Sequence, residues 1–468
     1  MPPTTPASRR RPLSIPALAT LLLFSGCATR SPRAPHADFR QPPTLAAPAR
    51  PAGVDALPRW RADFDRINAQ VSRLEGEDPL VAYESADARL PAIPDDEAKQ
   101  ALALVERFTL GPDETIVLPP IHGPETPFPD HQSLRQIATL RGVLARRALA
   151  AGDLPLALRL VRQNLAQARA TLRAQEGIIP LIHATGVWQC ALDGAHALAR
   201  SPRLPAAEAR ALLQELQTDA ELLPRSVSRA FVGEYLHVYR VIVDRLPQTD
   251  DPELLLSAVA SLGMAEPEAV QPGEIGLGLT RHTLLDRDAT LAAYEADLGE
   301  YLDALAASSR FPRGIYELAT GPTLAGYRRQ LGAFYDYTSG EVPDSLELTI
   351  RARAAMESTP NPVGKLLAVY LTPPWEVLMA SAFRREAQRA AVCGLLAWRI
   401  HGRPADWNAL VAAGILPGAP ADPFSDAPLR LSLDDTPRIW SVYLNGKDDG
   451  GQPIEGNTGQ PEDLVWIW

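Results

Sequence analysis

The sequence predicts a mainly α-helical protein: an irregular multi-helix bundle or solenoid-like body followed by a small C-terminal β-containing module. From Trp60 onward, apolar residues recur at three- and four-residue steps, as in Phe64, Ile67 and Val71, which is the period of a helix face. Breaks rich in Pro and Gly near 110–130, 264–280 and 310–322 separate further segments of this kind. Runs typical of strands are scarce until the last forty residues.

The N-terminal segment has the organisation of a secretory signal. Arg9, Arg10 and Arg11 precede an apolar run from Ile15 to Phe24, and small residues follow it. A run of about ten residues is too short to span a bilayer, which takes roughly twenty. Its end, Ser25-Gly26-Cys27, resembles a bacterial lipobox, which implies that Cys27 is lipidated, as with palmitate, and begins the mature chain. An ordinary secretory signal is the alternative.

Ala28 and the segment that follows it indicate at which membrane the lipidated chain would be located. Ala28 resembles the pattern of lipoproteins that reach the outer membrane, so the chain would face the periplasm on a lipid anchor. The segment that follows is rich in Pro and Ala without apolar periodicity, which is typical of an extended tether. We therefore divide the chain into a lipoprotein signal peptide (1–26), a Pro-rich tether (27–58), a helical body (59–400) and a C-terminal tail (401–468).

One local unit in the body is a helical hairpin. Two Ala- and Leu-rich segments meet at Gly152-Asp153, where Gly favours a left-handed turn and Asp favours the start of the second helix. The unit resembles a single tetratricopeptide-like hairpin. No 34-residue period continues on either side, so a repeat array is not predicted.

The charge of the chain argues against nucleic acid as a partner. The formal net charge is −10, and loss of the three signal-peptide arginines makes it −13. Acidic chains without a basic cluster bind nucleic acid and anionic headgroups poorly. Lysine occurs only at Lys99, Lys365 and Lys447, so nearly all basic residues are arginines. Genomic base composition explains this preference as well as anion recognition would.

Few side chains of the helical body are candidates for catalysis, metal binding or disulfide formation. Cys190 and Cys393 lie in apolar helical surroundings, and both a disulfide and two free thiols are compatible with an oxidising compartment. Glu234 and His237 share a helix face, but a di-iron site needs a second such pair, which the sequence lacks. We predict no catalytic residue. A hydrolase assembled from separated helices is the alternative, and a pocket joining Glu234 and His237 to a third polar group would favour it.

The tail carries the most specific pattern. It contains Asp422-Pro423, then the segment from Trp440 to Gly451, then Glu462 to Trp466. This order resembles the C-terminal module of type II secretion major pseudopilins, and the resemblance implies a loop that binds Ca²⁺. The candidate metal ligands in this sequence are Asp448, Asp449 and Asp463. The alternative is a hairpin turn with solvated acids.

The tail also departs from that family. Tyr443 and Leu444 replace its usual residues, and a prepilin methylation signal is missing, so the chain is not itself a pilin subunit. The whole chain resembles uncharacterised bacterial envelope proteins that join a helical body, with an Asn361-Pro-Val-Gly364 segment, to the same tail. We expect a non-enzymatic outer-membrane lipoprotein that serves as a scaffold or binds an envelope protein partner. No firm cofactor is expected besides Ca²⁺ in the tail.

Overall fold

A computed structural model describes a little over half of the chain. The described residues are 53–75, 94–119, 129–247, 285–307, 311, 361, 364, 375–402, 406–434, 437–451 and 463–467. Cys27, the signal peptide and most of the tether lie outside them. The chain divides into two compact units, which we describe separately. The larger unit contains Gln41–Ile242, Asp297–Ile315 and Glu376–Trp468, and the smaller contains Met1–Arg40, Val243–Ala296 and Tyr316–Trp375.

The predicted mainly α fold with a small C-terminal sheet is confirmed. The helices are α1 (Leu57–Arg61), α2 (Phe64–Glu75), α3 (Asp95–Glu106), α4 (Pro129–Ala151), α5 (Leu154–Ala174), α6 (Ile178–Arg200), α7 (Ala206–Thr218), α8 (Leu222–Glu234), α9 (Arg240–Arg245), α10 (Arg287–Ala307), α11 (Trp375–His401) and α12 (Trp407–Ala412). A π-helical turn, Tyr235–Tyr239, joins α8 to α9. The strands are β1 (Val54–Asp55), β2 (Glu114–Thr115), β3 (Arg430–Ser432), β4 (Arg438–Ser441) and β5 (Leu464–Ile467).

The centre of the larger unit is a three-helix group in which α4, α5 and α6 pack against one another. The predicted hairpin at Gly152-Asp153 is confirmed and connects the first two of these helices. Gly152 has a φ of +83°, and the Asp153 carboxylate caps α5 by accepting the Leu156 amide at 3.1 Å. Glycine suits this left-handed position because it has no Cβ. Local turn chemistry therefore sets the antiparallel pairing of α4 and α5.

Arg141 is a fully buried side chain that holds α3 against this group. Its guanidinium donates to the carbonyl of Phe108 at 2.7 Å and to that of Val105 at 3.4 Å, just where α3 ends. It also donates to Gln167 Oε1 of α5. The last carbonyls of a helix lack partners within the helix and carry partial negative charge, so a buried cation is well placed there. Burial lowers the pKa of Arg141 to about 9, which leaves it protonated at neutral pH.

Other arginines meet helix ends in the same way. Arg389 of α11 donates to the Leu216 carbonyl in the last turn of α7 at 2.9 Å. Arg399, also on α11, donates to the carbonyl of Ser201, which follows α6. Arg59 of α1 donates to the carbonyls of Arg107 and Thr109 after α3. Side chains from neighbouring elements thus satisfy carbonyls that the helices leave unpaired.

The C-terminal module belongs to the same compact unit as the helical body. Its three strands are antiparallel in the order β3-β4-β5. At the end of β5, the Ile467 carbonyl lies 3.3 Å from His196 Nε2 of α6. The Phe311 amide donates to the Pro423 carbonyl at 2.7 Å, and its ring packs on Phe383 of α11. The tail therefore docks against the helices, a question that the sequence left open.

In the smaller unit, the Asn361-Pro-Val-Gly364 segment contributes a polar anchor for the start of α10. Asn361 adopts a left-handed φ of 51° and accepts the Asp286 amide at 2.9 Å through Oδ1. Its Nδ2 donates to Thr290 Oγ1 at 2.9 Å. The Asp286 carboxylate in turn accepts the Ala289 amide, which caps the helix. Asparagine tolerates left-handed backbone better than most residues, which explains its presence here.

We predict that Arg141→Met destabilises the protein. The change leaves the Phe108 carbonyl and the Gln167 side chain buried without their charged donor, and such losses cost about 2–4 kcal/mol. Urea denaturation should show this as a lower free energy of unfolding. Arg210→Met, at an exposed position of α7, is the matched control and should change it by less than about 0.5 kcal/mol. Equal effects of the two substitutions would contradict the assigned role of Arg141.

Candidate functional site

The acidic turn consists of Asp448–Gly451, which follow β4, and of Asp463, which directly precedes β5. It contains the three metal ligands predicted from the sequence and is the site where the structure best matches a sequence prediction. Asp463 is only 1% exposed, and its Oδ2 accepts the backbone amides of Asp449 and Gly451, each at 2.9 Å. Its Oδ1 is also buried but has no hydrogen-bond partner. A buried carboxylate oxygen without a donor is unfavourable unless a cation or proton meets it. Burial, together with the nearby charge of Asp449, raises the pKa of Asp463.

Glycines give this turn its shape. Gly450 and Gly451 both have left-handed φ values, +79° and +64°, and in this conformation the Gly451 amide donates to Asp463 while the Gly450 amide donates to Asp448 Oδ1. A Cβ on Gly451 would lie 2.7 Å from the Trp440 ring, which no real side chain could tolerate without movement. The turn is therefore specific for glycine at this position for both conformational and steric reasons.

The three predicted ligands differ in how far their oxygens are already engaged. Asp448 Oδ1 accepts from Trp440 Nε1 at 2.9 Å, and Oδ2 lies 3.6 Å from Arg430 Nε. Burial opposes ionisation of Asp448, yet the Trp440 hydrogen bond and nearby donors hold its pKa below the usual range. Asp449 Oδ2 accepts from Asn445 Nδ2 at 2.8 Å. Only Asp463 therefore presents a buried oxygen that no donor has taken up.

The structure does not assemble a complete metal centre from side chains alone. Among the described residues, no group of three or more His, Cys, Asp or Glu side chains could hold a metal ion. The segment 452–462, which connects the turn to Asp463, lies outside the described residues. Besides carboxylates, Ca²⁺ accepts backbone carbonyl oxygens as ligands.

Asp422 anchors this module, a role that sequence reasoning did not assign. It is fully buried, and its carboxylate accepts Ser441 Oγ at 2.7 Å, the Val442 amide at 3.1 Å and the Phe424 amide at 3.0 Å. The bond to the amide two residues on forms an Asx-turn, which the Asp-Pro sequence could have indicated. Arg430 lies between Asp422 and Asp448 and so connects this anchor to the acidic turn.

A groove of about 630 Å³ lies along α5 in the helical body. Pro155, Leu158 and Ala166 of α5 supply its apolar lining, and the Thr109-Leu110 segment and Glu208 of α7 also border it. Volumes of 300–1,000 Å³ are typical of binding sites.

Acidic side chains of neighbouring helices hold the arginines of the groove in place. Arg159 pairs with Glu106 at 2.7 Å, and Arg162 pairs with Glu208 at 2.9 Å and with Glu215 at 3.1 Å. The sequence pattern gave no sign of this groove.

The structure adds a third polar residue to the predicted Glu234 and His237 pair. Glu176, in the turn between α5 and α6, places Oε2 3.8 Å from His237 Nε2. Glu234 Oε2 accepts the Ile178 amide at the start of α6 at 3.0 Å. Glu234 as a whole is partly buried, but its carboxyl is surrounded by protein, and this burial raises its pKa to about 7. These residues meet beside the π-turn rather than in the groove.

No family model, curated protein or solved structure matches this chain. Within the described part of the chain, no helix combines the length and apolar character needed to cross a membrane.

Of the two alternatives considered for Cys190 and Cys393, a disulfide and two free thiols, the structure has the free thiols, both buried. Cys190 on α6 faces α4, with its sulfur 4.0 Å from Thr139 Oγ1. Cys393 on α11 lies beside Arg389, with 3.8 Å between its sulfur and Nη1. Burial raises the pKa of each thiol to about 11. Both cysteines therefore act as small apolar core residues.

We predict that Cys190 and Cys393 resist alkylation in the folded protein. At pH 8 a thiol with a pKa of about 11 is roughly one part in a thousand thiolate, and burial also blocks the reagent. Mass spectrometry of the Cys27→Ala chain after iodoacetamide treatment should show no adduct without denaturant and two adducts in it. An added cysteine at exposed Arg210 should react at once. Rapid native labelling of either core cysteine would contradict the packing described.

Proposed function

We propose that this chain is a lipid-anchored protein of the outer membrane whose helical body faces the periplasm and binds another envelope protein. The basic residues Arg9–Arg11, the short apolar run and Cys27 support the anchor. The groove along α5 is the observation that supports binding. Its size and mixed lining suit a segment of polypeptide better than a bare ion.

The charged residues of the groove favour a preformed surface. Arg162 is held from two sides by Glu208 and Glu215, and Arg159 is held by Glu106. Side chains already fixed by partners lose less entropy when a ligand binds. Their apolar stems also cover part of the lining, beside Leu158 and Ala166. A partner segment with apolar side chains flanked by charges of both signs would complement this surface.

The tether determines how far the groove can reach from the membrane. Residues 27–52, which precede β1, are rich in Pro, and an extended polyproline-like chain rises about 3.1 Å per residue, so this segment could span roughly 80 Å. This reach would let the body meet partners some distance from the lipid surface. The lipid would hold the N-terminal end, while the C-terminal module packs on the helices of the body.

We propose further that the C-terminal module binds Ca²⁺ at the acidic turn. Asp463 Oδ1 is the buried oxygen that a cation would satisfy, and Asp449 lies next to it in the turn. When bound, Ca²⁺ would neutralise the clustered negative charge. Asp448 would act from further out, since its Oδ1 already accepts from Trp440 and Gly450 and its Oδ2 lies 3.6 Å from Arg430 Nε. The resemblance to the pseudopilin module supports the same ion.

The hydrolase alternative has less support from the geometry. Glu234, His237 and Glu176 do lie close together, as that alternative requires. However, the Glu234 carboxyl is engaged by the Ile178 amide, and the groove of the body lies elsewhere, along α5. A general acid or base needs an approach for the substrate as well as a suitable pKa.

We predict that a photoreactive residue at Ala166 cross-links to one discrete envelope protein in intact cells. The same residue at Ile182, an exposed site on α6 outside the groove, is the matched control and should give no such adduct. In the Cys27→Ala chain, loss of the lipid should move the protein to the soluble fraction and reduce the adduct. Equal adducts at both sites would contradict binding in the groove. Membrane retention of the Cys27→Ala chain would contradict the anchor.

We predict that Ca²⁺ raises the melting temperature of the purified chain relative to a chelator. A ligand at 100 times its Kd adds about 2.7 kcal/mol to the free energy of unfolding. Asp463→Asn should abolish most of the shift, because the amide cannot supply the charge. Asp434→Asn, at an exposed acid between β3 and β4, should leave the shift intact. A melting transition that is the same with Ca²⁺ and with chelator would remove the site.

A further inference from the structure

Polar side chains of α4, α6 and α11 come together on one side of the helical body. Gln388 of α11 donates to Asp193 Oδ1 of α6 at 2.7 Å, and Gln189 of α6 donates to the same oxygen at 2.6 Å. Thr139 Oγ1 of α4 lies 4.0 Å from the sulfur of Cys190, one turn before Asp193. None of these residues lines the groove along α5.

Two arginines of α4 border this cluster. Arg135 and Arg146 lie four residues before and seven residues after Thr139, so they share its helix face. Arg135 crosses α6 at Gly186, where a Cβ would lie 3.4 Å from the arginine Nε. Burial raises the pKa of Asp193 and the charge of Arg146 opposes this shift, so the two groups lie near one another.

A third arginine approaches the cluster from α11. Arg385 lies one turn before Gln388, on the same helix face, and its charge also acts on Asp193. Its Nε is buried and has no hydrogen-bond partner. Burial, together with the neighbouring charge of Arg384, lowers the pKa of Arg385 to about 10, so its guanidinium is protonated at neutral pH.

The positive charge of these arginines exceeds what the cluster neutralises. Arg146 and Arg385 form no hydrogen bond or ion pair with any residue that the structure describes. By contrast, Arg159 and Arg169 of α5 each pair with an acid of a neighbouring helix. Asp193 carries a single negative charge, and its Oδ1 already accepts two amide donors. Partly buried cations without a counter-charge are unfavourable.

Gly142 leaves open space beside these groups. It lies on α4 between Thr139 and Arg146, and a Cβ at this position would meet no atom within 4 Å. A small ion could therefore approach the arginines from this side without displacing a packed side chain.

We propose that this face of the helical body binds a phosphate group, as the free ion or as the monoester of a small molecule, between Arg146 of α4 and Arg385 of α11. Guanidinium donors match the spacing of phosphate oxygens and form strong charged hydrogen bonds. The anion would supply the missing acceptor for Arg385 Nε and offset the excess positive charge. This site goes beyond the proposed function, because it lies outside both the groove and the acidic turn.

The arrangement of the arginines favours phosphate over a carboxylate. Arg146 and Arg385 come from two different helices, so their donors approach the anion from different directions. The oxygens of phosphate are arranged tetrahedrally and can accept from both sides at once, whereas the two oxygens of a carboxylate share one plane. Acetate is therefore the comparison ligand that tests this preference.

Titration calorimetry of the purified chain with inorganic phosphate tests the site, with ionic strength held constant by NaCl. The unaltered chain should bind one phosphate, and should bind acetate more weakly. Arg146→Gln and Arg385→Gln should each weaken phosphate binding by about tenfold or more, because each removes a charged donor. Arg210→Gln, at an exposed position of α7, is the matched control and should leave the affinity unchanged.

Asp193→Asn should change the affinity in the opposite direction. The amide oxygen can still accept from Gln189 and Gln388, while loss of the negative charge should tighten phosphate binding by about fivefold. General damage to the fold would weaken binding instead. A comparison with glycerol 3-phosphate distinguishes the two sources: tighter binding of this compound assigns a monoester to the site, and tighter binding of inorganic phosphate assigns the free ion.

Four results would overturn the phosphate site. In the unaltered chain, these are the absence of phosphate binding and binding of acetate as tight as that of phosphate. In the variants, they are an unchanged phosphate affinity when Arg146→Gln and Arg385→Gln are combined, and weaker binding in Asp193→Asn. Because the first two results need no substitution, the test decides even if a variant fails to fold.

Discussion

The need to satisfy helix-end carbonyls inside the protein is the constraint on which the larger unit depends. Each helix leaves its last carbonyls without internal partners, and burying them unpaired costs free energy. Arg141 meets this need for α3, Arg389 for α7 and Arg399 for α6. Arg141 lies on α4, and Arg389 and Arg399 both lie on α11, so each bond joins an arginine to the end of a different helix from its own. The same hydrogen bonds therefore cap the helix ends and hold neighbouring elements together.

This role explains why arginine rather than lysine suits these positions. Arg141 makes these three bonds from two separate nitrogens, Nη1 to Gln167 and Nη2 to the two carbonyls, whereas a lysine carries all its donors on one nitrogen and could not reach acceptors spread in this way. The same forked geometry lets Arg169 of α5 hold Asp219 through Nε and Nη2, while Arg162 holds Glu208 and Glu215. Base composition explains why arginines are abundant. The structure shows what these particular arginines do.

The C-terminal module follows the opposite rule, in which buried carboxylates are satisfied by amides. Asp422 has donors on both oxygens, so it acts as a fixed support for β4. Asp463 has donors on one oxygen only, although it is almost as deeply buried. Two acids in one small module thus differ in a single unsatisfied atom, and that atom distinguishes the candidate ligand from the structural residue.

The sequence by itself determined the helical class, the hairpin at Gly152-Asp153 and the three C-terminal strands, because periodicity and turn chemistry act over a few residues. It also provides the only evidence for lipidation at Cys27. It could not determine that Asp463 would keep a free oxygen while Asp448 would not. Nor could it show that Glu176 would lie beside His237, or that the two cysteines would stay apart. Those outcomes depend on residues far apart in the chain, which only tertiary packing brings together.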